Sequence, residues 1–202
     1  MKSQFTRCRA LFAFALLALA GTAQAHVGHE GGHAATFLSG LVHPVSGIDH
    51  LLAMVAVGLW SAVSMARHRW RAPALFVGVM ALGALLAHLG LVLPLGGSLE
   101  LLIAASVVLL GGLLVSGARL PGAIGLSLVA ASALLHGTAH GMEMVAGESF
   151  LAYGGGFVLA TALLHLAGMG LGVVLQQVRA ALPRVAGVLI GGAGLAMLAT
   201  RI

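Results

Sequence analysis

The segment His43-Pro44-Val45-Ser46-Gly47-Ile48-Asp49-His50 sets two imidazoles and a carboxylate into an otherwise apolar stretch. A second segment, His136-Gly137-Thr138-Ala139-His140-Gly141-Met142-Glu143, repeats the combination. Its offsets of four and seven residues stack His136, His140 and Glu143 on one face of a helix. Imidazole and carboxylate together suit nickel, cobalt, zinc or iron, and with no thiolate beside them copper(I) and iron–sulfur clusters are disfavoured. On a straight helix His43 and His50 share a face but lie about 10 Å apart along the axis, too far for one ion. A distortion or two successive sites is therefore required. Pro44 removes a backbone donor and Gly47 permits unusual backbone angles, so the helix is expected to be broken at Pro44/Gly47, with carbonyl oxygens free to face a cavity. Single histidines in other apolar runs, His165 and His88, extend the candidate ligands. Upstream, His26, His29, Glu30 and His33 form an imidazole-rich tail able to capture metal at an entrance. The metal candidates are thus His43, Asp49, His50, His136, His140, Glu143 and His165, with His88, His26, His29 and His33 secondary to them.

What must position these groups is a membrane bundle. The chain of 202 residues is 60% hydrophobic and 7% charged, with a mean hydropathy of +1.08, outside the range of a soluble domain. A bilayer core about 30 Å thick needs roughly 20 apolar residues per helix, so six or seven spans fit and no sizeable soluble domain does. Lys2, Arg7 and Arg9 precede the apolar run Ala10 to Ala20, and Ala23-Gln24-Ala25 has the small-x-small form of a signal peptidase site. We expect a signal peptide at 1–25, a periplasmic histidine-rich start at 26–35, and a six-helix all-α transmembrane domain at 36–202. Its spans are read as Thr36 to Val63, Pro73 to Leu93, Leu99 to Ser116, Ile124 to Gly141, Phe150 to Gln176 and Val185 to Thr200. The lone cysteine, Cys8, falls in the leader, leaving no disulfide or thiolate ligand in the mature chain. Glycine runs such as Gly111-Gly112, Gly154-Gly155-Gly156 and Gly191-Gly192 fit close helix packing and are compatible with a homo-oligomer.

The net charge of +5 is dispersed in the leader and between apolar runs, so it reads as a topology signal and not as a nucleic-acid surface. With the mature N-terminus in the periplasm of an inner membrane, Arg67, Arg69, Arg71, Arg119, Arg179 and Arg184 fall on the cytoplasmic side and Arg201 alone on the other. Glu30, Glu100, Glu143 and Glu148 gather at the periplasmic face, which leaves Asp49 as the carboxylate inside a span. An ionisable group there costs several kcal/mol unless paired, solvated or bound. Clusters in spans one and four and single histidines in spans two and five hint at two inverted three-span halves.

The His-Pro-x-x-Gly-x-Asp-His signature at His43 to His50, with His-Gly-x-x-His-Gly-x-Glu at His136 to Glu143, resembles the HupE/UreJ family over essentially the whole chain. The resemblance implies a secondary permease for nickel, and in some members cobalt, serving maturation of hydrogenase or urease. It carries the family's functional residues onto His43, Asp49, His50, His136 and Glu143. It implies a transported Ni2+ or Co2+ as cargo, no prosthetic group, and no enzymatic activity. A phosphate-binding glycine loop with its lysine is missing, so gradients or a partner must supply energy. The alternative is an intramembrane zinc hydrolase in which histidines and an aspartate hold metal and a carboxylate activates water. A metal sensor or accessory subunit is a further rival, disfavoured by the scarcity of charged cytoplasmic surface.

Overall fold

Backbone groups in hydrocarbon must be paired within their own segment, which makes helices of long apolar runs. In a computed structural model, describing residues 36–91, 97–117, 120–143 and 149–201, the regular elements are all helices. They are α1 (Phe37–Ser46), α2 (Ile48–Ser64), a 3-10 turn (Ala66–His68), α3 (Arg71–His88), α4 (Ser98–Ser116), α5 (Gly122–Glu143), α6 (Phe150–Val178) and α7 (Leu182–Arg201). The expected signal peptide and histidine-rich start, with Cys8, His26, His29, Glu30 and His33, lie outside the described residues, as do Arg119 and Glu148. Helices α3 to α7 are each long and apolar enough to cross a bilayer, and the bent pair α1–α2, taken together as one broken span, is a sixth candidate. The chain is a multi-pass membrane protein.

Local chemistry sets the ends. Thr36 and Ser39 form a reciprocal capping box at the start of α1, satisfying amide donors that lack a helical partner. The Ser149 hydroxyl accepts from the Ala152 amide at the start of α6. Gly117, at φ +61 and ψ −140, ends α4, a positive-φ conformation that glycine adopts without a Cβ penalty. Gly90, at φ +70, closes the turn after α3, so this span stops short of the expected Leu93.

The bundle is assembled from three pairs that meet backbone to backbone. Helix α2 packs on α6, α3 on α5, and α4 on α7. In each pair a glycine sits where a Cβ would strike main chain: Gly58 against the His165 carbonyl, Gly137 against Met80, and Gly111, whose Cβ would lie 2.7 Å from the Gly187 carbonyl. The matched positions show α2 running parallel to α6, α3 parallel to α5, and α4 antiparallel to α7. Exchanging spans one to three for spans four to six carries the first pair onto the second and leaves the third in place. Two inverted three-span halves would pair in this way. Trp60, Phe76, Met54, Leu59, Met80, Leu110 and Leu114 fill the centre, all fully buried.

Candidate metal-binding site

The first ligand segment is shaped by one residue that leaves the helix. Gly47 adopts φ −95 and ψ 119, and the axes of α1 and α2 meet there at 83°. Pro44 stays helical within α1, so the break falls at Gly47 alone. That φ is open to any residue; what requires glycine is space, since a Cβ would lie 2.9 Å from His50 Nδ1 and 3.1 Å from Asp49 Oδ1. The bend removes the separation expected of a straight helix, and the His43 and His50 rings come within 6.0 Å between centroids. His43 also contacts Tyr153 and Phe157 in the first turns of α6, so the cluster lies just inside one end of the bundle.

Helix α5 brings its ligands to the same place. His140 lies 4.8 Å from His43 and 4.4 Å from His50, and His136 lies 4.7 Å from His50, all between ring centroids. Glu143 Oε2 is 3.5 Å from His43 Nε2 and 3.6 Å from His140 Nδ1. One ligand atom from each of His43, His140 and Glu143 falls within 4.8 Å of the others, a spread that small side-chain shifts close around one cation. The Glu143 side chain is 42% exposed and His43 20%, so this trio forms the mouth of the cluster. His50 and His136 are buried beneath it.

The deeper imidazoles share a chemical pattern. His50 Nδ1 lies 2.7 Å from Asp49 Oδ1, an acceptor-only carboxylate, so Nδ1 donates and Nε2 holds the lone pair. Ser106 gives its hydroxyl proton to the Ile103 carbonyl at 2.7 Å, which leaves its oxygen to accept from His136 Nε2 at 3.0 Å and assigns the lone pair to His136 Nδ1. His165 Nδ1 donates to the Thr161 carbonyl at 2.7 Å, leaving the lone pair on Nε2. Those three nitrogens, His50 Nε2, His136 Nδ1 and His165 Nε2, are buried and without a hydrogen-bond partner among the described residues. An imidazole anchored through one nitrogen and bare at the other is the state in which histidine binds metal.

His165 stands apart from the cluster. The Phe76 ring contacts it at 5.1 Å and His136 at 6.0 Å, a hydrophobic spacer between the two imidazoles. His88 is not brought in: it is exposed at the end of α3 and stacks on Phe150 at 5.0 Å. Asp49, 2% exposed, accepts at Oδ1 from the His50 amide and ring, while Oδ2 accepts from Arg201 Nη2 at 2.9 Å. It therefore stands behind His50. Ser106, Phe76 and Arg201 were not singled out as site residues by the sequence. A serine inside the apolar run Leu101 to Leu110 is a faint polar signal, and Arg201 reads there only as a topology charge.

The family model described as HupE / UreJ protein matches residues 14–197. Protein HupE of Rhizobium leguminosarum bv. viciae is 40% identical over 185 residues, which cover 91% of this chain and 94% of that protein. No solved structure matches the chain.

Proposed function

The chain belongs to the HupE/UreJ family, and from that membership we propose a secondary permease that carries nickel, with cobalt as a second cargo, from periplasm to cytoplasm. The observation that bears most weight is that His50 and His136, each with a buried nitrogen that has no partner among the described residues, lie with their rings 4.7 Å apart beside a half-open His43–His140–Glu143 trio. Burying several lone pairs without partners costs roughly 1–3 kcal/mol each, a cost that a passing cation offsets. The trio takes the ion first; His50 and His136 receive it next, held in orientation by Asp49 and Ser106; His165 lies beyond Phe76 on the same route. The cluster faces the periplasm of the inner membrane, as the arginine-rich turns at the opposite end favour. The signal peptide and the histidines at 26, 29 and 33 belong to this reading as targeting and capture elements, and the cargo serves hydrogenase or urease maturation.

The test is uptake of radioactive nickel and cobalt, singly and in competition, by cells expressing wild type, Asp49→Asn and His136→Ala at matched membrane levels. Saturable wild-type uptake that is lost in both variants is expected. Wild-type uptake no greater than that of empty cells overturns the reading.

A further inference from the structure

A guanidinium beside a cation-binding cluster needs a physical reason, because it repels the cargo. Arg201, the last residue of α7, reaches across to two other helices: Nη2 donates to Asp49 Oδ2 on α2 at 2.9 Å, and Nη1 donates to the Glu100 carbonyl on α4 at 2.8 Å. Its Nε lies 3.8 Å from the Glu100 carboxylate. Arg201 sits beyond the residues that the family model matches. It binds none of the imidazoles, so the route described above does not use it.

Asp49 is the strongest potential donor in the cluster, a buried carboxylate next to bare imidazole nitrogens. With His50 on Oδ1 and Arg201 on Oδ2, both of its oxygens are taken. The inner site then offers imidazole nitrogens only. Conduction requires a site firm enough to admit an ion and loose enough to let it go, and a divalent metal held by imidazoles plus a free carboxylate leaves slowly. We propose that Arg201 is a positioning residue that latches Asp49 out of the metal's coordination sphere and so sets the rate of release. The guanidinium bonds Asp49 and the Glu100 carbonyl at once, which keeps a positive charge on the carboxylate, and that charge is what the latch requires.

This inference rests on the metal-transport reading, and its test separates the two. Nickel affinity is measured by equilibrium binding to purified protein in nanodiscs, and uptake kinetics in cells, for wild type, R201Q, R201K, D49N and D49N/R201Q. The latch predicts that R201Q binds nickel at least tenfold more tightly, with KM lowered and maximal uptake rate reduced at least tenfold. R201K, which keeps a cation on Asp49, stays within about threefold of wild type in affinity. In the D49N background, removing Arg201 changes affinity by less than threefold. If R201Q does not accumulate, R201M, which also removes the cation from Asp49, takes its place and must show the same tightening, and a change above threefold between D49N and D49N/R201Q still overturns the latch. A purely structural Arg201 lowers abundance and affinity together and overturns the latch. A tightening as large in the D49N background as in the wild-type background makes Arg201 a plain repulsive charge and also overturns it. A wild type without nickel binding overturns the permease reading itself, whereas a binding wild type with an unchanged R201Q overturns the latch alone.

Discussion

A neutral imidazole binds metal through the nitrogen that carries no proton, so whatever holds the proton decides where the ligand points. For His136 that partner is Ser106, whose own proton is committed to the Ile103 carbonyl. Ser106→Ala leaves the ring free to change tautomer and move its lone pair to the other nitrogen. Loss of such an outer partner typically costs 10- to 100-fold in metal affinity or activity, so nickel uptake in S106A is expected to fall about tenfold at unchanged membrane abundance. Ser132 is a matched control: it is equally buried on α5, and its hydroxyl bonds the Leu128 carbonyl instead of an imidazole. S132A should transport within twofold of wild type. Equal uptake by S106A and S132A would show that the Ser106 contact does not orient a ligand. Ser106 was not legible beforehand, because the His136 partner is 30 residues away in sequence and a serine in an apolar run bears no local mark of it. The His136–His140–Glu143 face was legible, since its spacing is a property of one helix.

At the scale of elements, the bend at Gly47 is what turns two distant histidines into neighbours, while Pro44 remains inside α1. Hydropathy is local, so the six expected spans agree with the helices to within a few residues. The setting of the 83° bend is not local: α1 seats Gly40 against Tyr153 on α6, and α2 packs on the same helix further down. Arg201 escaped for a related reason, as its partner Asp49 is 152 residues away and only the folded bundle brings α7 beside α2. Gly47→Ala isolates the bend. Its backbone angles suit alanine, yet the added Cβ crowds Asp49 and His50, so uptake should drop at least tenfold while the protein accumulates normally. Gly112→Ala adds a Cβ facing open space and should leave both uptake and abundance unchanged. Equal uptake in G47A and wild type, measured as initial rates of radioactive nickel entry, would show that the Asp49–His50 arrangement tolerates displacement.

For the whole molecule, the directions of the spans collect Glu100, Glu143 and Arg201 at the end that holds the cluster and Arg67, Arg69, Arg71, Arg179 and Arg184 at the other. In the proposed orientation, with the arginine-rich turns cytoplasmic, the mouth opens toward the positive side of an energised membrane. A divalent ion entering there moves down the electrical potential. At 100 mV that drop contributes about 4.6 kcal/mol for two charges, enough for roughly thousandfold accumulation without a coupled ion. Under the proposed transport reading, the pairing of spans one to three with spans four to six would let one half rock on the other across the glycine contacts and expose the site to each side in turn. Protein reconstituted in liposomes is therefore expected to accumulate nickel when a potassium gradient with valinomycin sets the lumen negative. With valinomycin and equal potassium on both sides it should only equilibrate the ion. The Asp49→Asn protein should do neither above the level of empty vesicles. Accumulation that ignores the potential but follows an imposed proton gradient would replace potential-driven entry with proton coupling, and the arrangement of charge at the two ends would then govern insertion alone.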